Sequence, residues 1–553
     1  MRARAVMVCG TTSGAGKSFL ATALARWYSR QGLRVAPFKA QNMSNNARVV
    51  AGGEMGSAQY FQALAARCVP DVRMNPILLK PESETRSQVI LLGQRRDELS
   101  AMQWRARAEH LWPTVHGCLE ELLAENDALI IEGAGSPAEI NLQATDLVNM
   151  RVAEAAAAAT LIVCDIDRGG AFAHLFGTHQ LLSLKHRALI HGFVLNKFRG
   201  DRDLLAPGPE MLKALTGVPT LAVLPMWREH GLPEEDGVFD AGPAFGSGLS
   251  VAVLAYPHIS NLDEFAPLRQ VPGLSLCWAR EPRSIAAADL LVLPGSKNVA
   301  ADLAWLRQRG LDAAVMAHVS ADKPTLAICG GLQMLGSEVQ DPLGVEGAAR
   351  GLGLLPYSTE FQPAKRYRHG RHSLAPLSGF WAALSGIGFD AYEIRHGETR
   401  AEPHPSARSL RAVADDHCGW QYGQTLALYL HGMLESPAVM RAVRRQHPDA
   451  RRHSERSRGF HRPALRGGCI DVVARLRMAR HDKSMTQIDQ LRPTTVTILK
   501  SLIPGDRPWT SSPRHPPLMR DAPAAAMPSV LREPPAPGPQ SPTSLARFPT
   551  TRS

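Results

Sequence analysis

A glycine-rich loop near the N-terminus most constrains how this chain can fold. The apolar run Ala5–Val8 leads into Cys9–Ser18, which has the sequence CGTTSGAGKS, and a helical pattern follows over residues 19–30. A strand, a glycine loop ending in Gly-Lys-Ser and a helix form a phosphate-binding P-loop, because glycines let backbone N–H groups crowd around phosphate oxygens at the positive end of the helix. The stretch between the first and last loop glycines is one residue longer than in the common motif, so this loop is a variant.

The polar residues of this loop predict ATP and magnesium as ligands. Lys17 is placed to reach the outer phosphates, and the Ser18 hydroxyl can ligate magnesium. Glu132 ends a buried strand, where a carboxylate is positioned for a magnesium–phosphate complex. We predict magnesium ligation by Ser18 and Glu132. The predicted ATP-binding residues are Gly10, Thr11, Ser13, Gly14, Gly16, Lys17, Ser18, Asn196 and Lys197.

Two further strand ends carry polar groups whose roles the sequence leaves open. Asp165 and Arg168 could clamp a substrate or a metal ion beside the phosphate site, or they could form a salt-bridged turn. Asn196 follows a strand at residues 192–195, where an amide could recognise the nucleotide base or cap a helix.

The apolar pattern predicts two α/β domains. Residues 1–226 alternate short buried strands with amphipathic helices, which is typical of a doubly wound parallel sheet. Residues 227–248 are rich in Gly, Pro and acidic side chains and are predicted to be a linker. A second α/β pattern covers residues 249–440. The predicted strands are Ala5–Val8, Leu129–Ile131, Leu161–Cys164, Gly192–Leu195, Leu221–Leu224, Val251–Ala255, Leu290–Leu293, Thr325–Ile328 and Leu426–Leu430.

The net charge of +11 originates in the C-terminal segment 441–553. This segment carries 21 Lys and Arg against 8 Asp and Glu, a net of +13, so the first 440 residues have a net of −2. The body therefore lacks the electrostatic footprint of a nucleic-acid-binding protein. The segment also holds 16 of the 41 prolines, and we predict a disordered, low-complexity tail. A basic arm for nucleic acid or a membrane surface is the alternative, which the scarcity of aromatic residues disfavours.

Several classes of protein are excluded by composition and cysteine spacing. No apolar run reaches the roughly 18 residues of a membrane helix, and the N-terminus runs into the glycine loop without a cleavage-type segment. The eight cysteines are scattered and include no C-x-x-C pair. We therefore expect a cytoplasmic protein without a disulfide scaffold, a zinc site, a nucleic-acid partner or a membrane partner.

One cysteine has the sequence setting of a nucleophile. Cys329 follows the predicted strand Thr325–Ile328 and precedes two glycines and a helical pattern. At such a turn the amides of the helix N-terminus favour the thiolate. His431 also ends an apolar strand and precedes a glycine, so it is predicted to be the base that acts on Cys329. His396 and His258 rank below it.

These motifs together resemble those of the cobyric acid synthase family, the glutamine-dependent amidotransferases of cobalamin biosynthesis. The resemblance covers about residues 3–440. Its motifs are Gly10–Ser18, PFKAQNMSNN at 37–46, EGAGSPAEINL at 132–142, DLVNM at 146–150, DIDRGG at 165–170, NKFRGD at 196–201, LPGSK at 293–297, the Cys329 turn, and Tyr429–Gly432.

The resemblance implies a P-loop domain similar to dethiobiotin synthetase, followed by a class I glutamine amidotransferase domain of flavodoxin-like fold. Cys329 would attack the glutamine amide with His431 as base, while Gly295, Gly330 and Gly331 would form the oxyanion and glutamine site. Mg-ATP would activate carboxylates of (adenosyl)cobyrinic acid a,c-diamide, and ammonia would convert the b, d, e and g side chains to amides. The residues expected to contact the corrinoid or the nucleotide are Lys39, Gln41, Asn42, Asn45, Asp165 and Arg168. For the amide-rich segment 39–46, a structured polar loop is the alternative.

The chain departs from the pattern of class I glutaminases beside the predicted base, as its branch of them tends to do. Class I glutaminases commonly carry Glu two positions after the catalytic His, where this chain has Met433. The third member of the triad is therefore undetermined, with Glu435 and Glu393 as candidates.

Two other departures concern packing and the C-terminus. Ala327 and Ala427-Leu428 stand where the family usually has Gly and Gly-Thr. Near Arg441, where the family continues with a helix, the sequence becomes Arg-rich. A reading-frame shift in the coding DNA would produce that composition, and the glutaminase domain could then be inactive while free ammonia still supports the ligase.

Two other functions share some of these sequence features. Cobyrinic acid a,c-diamide synthase shares both domains, but the amide cluster 42–46 and the EGAGSPAEINL run favour cobyric acid synthase. A partitioning-type P-loop ATPase would need a second lysine early in the loop, where Thr11–Gly14 stand. It would also leave Cys329 and His431 without a purpose. The oligomeric state is undetermined.

Overall fold

The computed structural model describes residues 2–444, except 83–85, 228–229, 231, 233–247, 272 and 404–408. The predicted tail from residue 445 onward and most of the predicted linker lie outside the described residues. The two sheets described below belong to one compact unit.

A six-stranded parallel sheet forms the centre of the first domain. Its apolar strands are buried on both faces, as expected when helices cover a parallel sheet on both sides. In spatial order, the strands are Thr220–Pro225, Ile190–Phe198, Ala159–Asp165, Arg4–Gly10, Ala128–Glu132 and Val35–Phe38. The helices of this domain are Lys17–Arg30, Ser57–Ala66, Asp97–Ser100, Trp104–Glu125, Met150–Ala155, Ala171–Leu181, Leu184–Arg187, Arg202–Leu205 and Pro207–Thr216.

Two small sheets lie beyond the edge strand Val35–Phe38 of this domain. One is a two-stranded antiparallel ribbon formed by Ala47–Val50 and Gly53–Gly56. The other has four strands, which are Gln41–Met43, Ile77–Pro81, Ser87–Leu91 and Gln94–Arg95. The amide-rich segment predicted as a contact loop therefore enters a sheet strand at Gln41.

A seven-stranded sheet forms the centre of the second domain. Five strands are parallel, and the last two run antiparallel at one edge. In spatial order, the strands are Leu274–Ala279, Leu249–Leu254, Leu290–Leu293, Thr325–Ile328, Thr425–Leu428, Gly419–Tyr422 and Arg411–Ala414. The α-helices are Pro282–Ala286, Val299–Gln308, Leu311–Ser320, Gly330–Leu335 and Pro437–Arg444, and a 3-10 helix covers Leu262–Gln270.

A long antiparallel hairpin extends from the second domain toward the first. Its strands are Tyr357–Ser373 and Gly388–Ala401, joined in one sheet by Glu338–Gln340 and Ala349–Arg350. Tyr392 and Ile394 of this hairpin form an apolar cluster with Ala47, Val49, Leu78 and Ile90 of the first domain. The hairpin therefore contributes to the contact between the domains.

All nine predicted strands overlap observed strands, and the predicted pair of α/β domains is confirmed. The sequence prediction missed the edge strand Val35–Phe38, the strand Leu274–Ala279 and the long hairpin. The helix Pro437–Arg444 crosses the predicted boundary at residue 440 and buries Val439 and Met440. Within the described part of the chain, no helix has the length and apolar character needed to cross a membrane.

Candidate active sites

The P-loop joins the strand Arg4–Gly10 to the helix Lys17–Arg30, as predicted. Gly14 and Gly16 have φ of 71° and 101°, values that favour glycine. The ammonium of Lys17 lies 3.1 Å from the carbonyl oxygen of Thr12 and 3.3 Å from that of Gly135. The loop is therefore curled around the Lys17 ammonium, with Ser13 and Gly14 exposed at its outer side.

Glu132 lies at the end of the neighbouring strand and is fully buried. Its Oε1 accepts hydrogen bonds from Ser18 Oγ at 2.9 Å and from Lys39 Nζ at 3.0 Å, and its Oε2 accepts one from Gln62. The structure thus brings together Ser18, Glu132 and Lys39, which the sequence had assigned to magnesium and to ligand contact. Gln62 had no sequence signal of its own.

Asn196 and Lys197 follow a strand end and contact the P-loop. The Asn196 amide donates to the Ala15 carbonyl oxygen at 3.0 Å, and Lys197 Nζ donates to the Gly14 carbonyl oxygen at 2.8 Å. Lys197 also pairs with Asp165 at 2.9 Å. The Arg168 guanidinium lies 3.6 Å from Asp165, and its side chain is 71% exposed. These four side chains form one polar cluster beside the P-loop.

Cys329 occupies the turn that the sequence predicted. It is the N-cap of the helix Gly330–Leu335 and has φ of 51° and ψ of −106°, a strained conformation for a residue with a Cβ. Such strain occurs where a turn aims a nucleophile away from its strand. By contrast, Cys9 is enclosed in the core, where burial and the nearby charge of Asp146 raise the pKa of its thiol to about 12. Among the described cysteines, only Cys329 has this turn geometry.

His431 and Cys329 line the same cavity. The Nδ1 of His431 lies 2.9 Å from Oε1 of Glu264, and Oε2 of Glu264 accepts the Gly432 N–H at 3.0 Å. Burial alone would lower the pKa of His431, but the charge of Glu264, the neighbouring Cys329 and the hydrogen bond to Glu264 raise it to about 10. Cys329, His431 and Glu264 therefore form a nucleophile–imidazole–carboxylate arrangement.

Glu264 was missed in the sequence, and the two candidates named there have other partners. Glu435 pairs with Arg48 at 2.5 Å, and Glu393 pairs with Arg395 at 2.9 Å. Glu264 is fully buried in the 3-10 helix Leu262–Gln270. The available signal was an acidic pair, Asp263-Glu264, inside an otherwise apolar run.

The alternative histidines have different surroundings. Nδ1 of His258 pairs with Asp302 at 2.8 Å. Nδ1 of His396 lies 3.0 Å from the Gln362 carbonyl oxygen, and Nε2 lies 3.1 Å from the guanidinium of Arg95. Burial, with the charges of nearby lysines, lowers the pKa of His396 to about 3, so it is a poor base.

Three glycines pack closely around the Cys329 turn. A Cβ on Gly330 would lie 2.5 Å from the Ser296 nitrogen, and one on Gly331 would lie 2.2 Å from the Leu293 carbonyl oxygen. A Cβ on Gly295 would lie 2.5 Å from Ser260 Oγ and 3.0 Å from His431 Cε1. Only glycine allows the strand end and the helix start to approach this closely.

A cavity at the Cys329 thiol is lined by residues of both domains. Its wall includes Cys329, His431, Ser260 and Gln333 from the second domain and Asn45 and Lys80 from the first. Behind this wall, Lys80 and Lys365 both pair with the buried carboxylate of Glu54, Lys365 at 2.6 Å. Because Lys365 belongs to the hairpin, this cluster crosses the domain interface.

The predicted contact residues of the segment 39–46 are divided between the two sites. Lys39 pairs with Glu132 beside the P-loop, whereas Asn45 lines the cavity at Cys329. Asn42 is buried and donates to Gln59 at 3.2 Å, and Gln41 begins a strand that pairs with Ile77. This segment therefore runs from one site to the other.

Two family models match the chain, one for each domain. Residues 6–234 match the model described as the CobQ/CobB/MinD/ParA nucleotide binding domain. Residues 250–439 match the CobB/CobQ-like glutamine amidotransferase domain. Together with the P-loop and the Cys329 site, these matches define a nucleotide-binding domain joined to a glutamine amidotransferase domain.

Relatives that are similar over almost their whole length define the family further. Cobyric acid synthases from Leptothrix cholodnii and Methylibium petroleiphilum are 59% identical over 468 residues and 60% identical over 462 residues, and each alignment covers 80% of this chain and 91% of the relative. The cobyric acid synthase of Paracidovorax citrulli is 61% identical over 457 residues, covering 80% of this chain and 93% of the relative. The chain belongs to the cobyric acid synthase family.

Proposed function

We propose that this chain uses ATP and glutamine to amidate the b, d, e and g carboxylates of (adenosyl)cobyrinic acid a,c-diamide, giving cobyric acid. The observation that carries the proposal is the identity of about 60% to cobyric acid synthases across both domains, together with a Cys–His–Glu arrangement in the second domain. We propose the cytoplasm as its location and the corrinoid as its small-molecule partner.

Glutamine hydrolysis would take place at Cys329. The Cys329 sulfur attacks the side-chain amide carbon of glutamine, and the backbone amides near Gly295 and Gly330 stabilise the oxyanion. His431 gives its proton to the departing nitrogen, so that ammonia leaves and a γ-glutamyl thioester stays on the sulfur. Water activated by His431 then cleaves the thioester to glutamate and restores the thiol. Glu264 holds the imidazole with Nδ1 protonated, which leaves Nε2 for these transfers.

Amide formation would take place at the P-loop. A carboxylate oxygen of the corrinoid attacks the γ-phosphorus of ATP, which yields an acyl phosphate and ADP. Ammonia then displaces phosphate from the acyl carbon and forms the amide. Lys17 and Lys197 lie at the loop and would offset the charge that develops on the transferred phosphoryl group.

The residues around Glu132 fit a magnesium ion. Ser18 Oγ and Glu132 Oε1 lie 2.9 Å apart at the start of the P-loop helix, and oxygen donors combined with phosphate oxygens are what magnesium prefers. Bound there, magnesium would neutralise the charge on the phosphates. Lys39 pairs with the same carboxylate and would lie beside the bound nucleotide.

The cavity at Cys329 supports a route for ammonia between the two sites. Asn45 and Lys80 of the first domain line the same cavity as Cys329. Neutral ammonia released at Cys329 would therefore enter a space already in contact with the first domain.

The direct test is the mass gained by cobyrinic acid a,c-diamide in the presence of ATP, with either glutamine or an ammonium salt. We expect four amides to be added with both nitrogen sources in the wild type, and with ammonium only in Cys329→Ala. Cys118→Ala, which changes a buried cysteine in another part of the fold, is the control and should match the wild type. No mass gain with either source would refute the ligase assignment. Gain with ammonium alone in the wild type would refute an active glutaminase.

The rival functions have less support. The relatives named above are cobyric acid synthases, which does not favour cobyrinic acid a,c-diamide synthase. A partitioning-type ATPase would not account for the amidotransferase domain at residues 250–439. The positions that become amidated would separate the two corrinoid enzymes.

A further inference from the structure

The acid of the glutaminase arrangement is held in place from the ATP-binding domain. Residues Asn45–Arg48 of the first domain, which we call the docking strip, lie against Asn261–Glu264 of the second, the acid loop. The Ala47 N–H donates to Asn261 Oδ1 at 3.0 Å, and the Leu262 N–H donates to Asn46 Oδ1 at 2.8 Å. The acid loop therefore has its backbone fixed by another domain immediately before Glu264.

Arg48 adds an ionic contact at the end of the docking strip. It is 3% exposed, and its guanidinium pairs with Asp263, the residue before Glu264. It also pairs with Glu435 at 2.5 Å, in the short helix that follows His431. One guanidinium thus joins the segment that carries the acid to the segment that carries the imidazole.

Arg48 also lies against the residue that stacks on the imidazole. Its guanidinium carbon is 5.2 Å from the centre of the Tyr392 ring. That ring stacks on the His431 imidazole, with centroids 5.4 Å apart and an interplanar angle of 21°. The backbones of Tyr392 and His431 exchange two hydrogen bonds, of 3.1 and 2.9 Å. Arg48 therefore contacts both the residue before Glu264 and the ring that stacks on His431.

Arg48 balances part of the negative charge of this cluster. Asp263, Glu264 and Glu435 are three carboxylates in one enclosed region, and Arg48 and His431 are the cations that the described contacts place against them. An ionised carboxylate inside a protein is stable only when it is paired. Without the guanidinium, Asp263 and Glu435 would compete with Glu264 for His431, or the acid loop would move toward solvent.

We propose that Arg48, supplied by the ATP-binding domain, is a positioning residue for glutamine hydrolysis in the second domain. It fixes the acid loop and Tyr392, so that Glu264 and His431 keep the geometry that activates Cys329. The inference rests on the proposed function of Cys329 and His431. The glutaminase site is then complete only when the docking strip is in contact with the acid loop.

The test compares full-length Arg48→Met and Arg48→Lys with the wild type. The measurements are kcat and KM for glutamine hydrolysis and the rate of ammonium-driven amidation. In Arg48→Met we expect kcat for glutamine to fall by up to about 10²-fold, because a small displacement of a positioned group has effects of that size. We expect KM for glutamine and the ammonium-driven rate to stay close to wild type. Arg48→Lys should recover part of kcat, since an ammonium can pair with one acid but not form the same fork.

Two further variants keep the test decisive. Tyr367→Phe removes an interdomain hydrogen bond to Glu54, 3.2 Å long, that is not part of the acid loop, and it should leave kcat unchanged. Asn46→Ala removes the acceptor for the Leu262 N–H without leaving a buried charge, and it should lower kcat in the same way if Arg48→Met does not fold. Wild-type kcat in folded Arg48→Lys and Asn46→Ala, or an equal loss in Tyr367→Phe, would overturn the proposal. Full glutamine turnover in Cys329→Ala, measured in parallel, would instead refute the proposed glutaminase site.

Discussion

Glu264 holds the imidazole of His431 with one carboxylate oxygen, at 2.9 Å from Nδ1, and the backbone amide of Gly432 with the other, at 3.0 Å. The two contacts fix both the position and the tautomer of the ring, because an Nδ1–H that points at a carboxylate leaves Nε2 directed elsewhere. The side chain of Met433, two positions after His431, has no carboxylate to offer. Glu264 supplies that group from a segment 167 residues earlier in the chain.

Replacing Glu264 by Gln should abolish most glutamine-dependent activity while leaving the ligase intact. The amide keeps the shape of the side chain but cannot stabilise an imidazolium, and a change of this kind in a catalytic triad costs roughly 10²- to 10⁴-fold in kcat. Steady-state glutamine hydrolysis is the measurement, and amidation with ammonium should stay at the wild-type rate. Glu398→Gln, at an exposed position of the hairpin, is the isosteric control. Wild-type kcat in Glu264→Gln would remove Glu264 from the site.

The P-loop and the Cys329 turn could be predicted because each is carried by neighbouring residues. Strand, glycine and helix follow one another within about a dozen positions at both sites. The local conformation, including the φ of 51° at Cys329, then follows from the turn that joins a strand to a helix. His431 was predictable for the same reason, as a polar residue at the end of an apolar strand.

Glu264 and Arg48 could not be predicted because their partners are distant in sequence. Arg48 meets Asp263 across 215 positions, and neither residue belongs to a recognisable motif. The long hairpin was missed for a related reason, since residues 365–372 of its first strand are mostly basic, and the burial of Lys365 among them depends on its pairing with Glu54 in the other domain. Interdomain pairing is a property of the folded molecule that local patterns do not carry.

The ion pair between His431 and Glu264 should make stability depend on pH in the alkaline range. The pKa of His431 is raised from its usual value near 6.5 to about 10. The stabilisation from this pair is therefore fully present below about pH 6.5 and is lost as the pH rises through about 10. Urea unfolding of the wild type and Glu264→Gln should differ by an amount on the order of a few kcal/mol at pH 7, and by much less above pH 10. A difference that is the same at both pH values would contradict the raised pKa.

Lys17→Met should lower ATP-dependent amidation and leave glutamine hydrolysis intact, which is the reverse of the effect expected for Glu264→Gln. Lys17 is enclosed by the P-loop, with its ammonium 3.1 Å from the Thr12 carbonyl oxygen, where it would contact the outer phosphates. We expect ATP-dependent amidation to fall by roughly 10²-fold or more with either nitrogen source, while glutamine hydrolysis without ATP stays at its wild-type rate. Lys185→Met, which changes a lysine with 69% exposure, is the matched control. Normal amidation by Lys17→Met would place the nucleotide elsewhere.

Gly16→Ala and Gly32→Ala form a pair that isolates the close packing of the P-loop. Both glycines have positive φ, 101° and 86°, so alanine is strained at either position by about 1–2 kcal/mol. They differ in their surroundings, because a Cβ on Gly16 would lie 2.0 Å from Nδ2 of Asn196, whereas one on Gly32 meets nothing within 4 Å. Gly16→Ala should therefore displace Asn196 and weaken ATP binding by at least about tenfold. Gly32→Ala should lower stability by the strain alone and bind ATP normally. Isothermal titration with a non-hydrolysable ATP analogue measures the ATP affinity of each variant. Equal affinity in the two variants would show that the contact between the loop and Asn196 does not shape the nucleotide site.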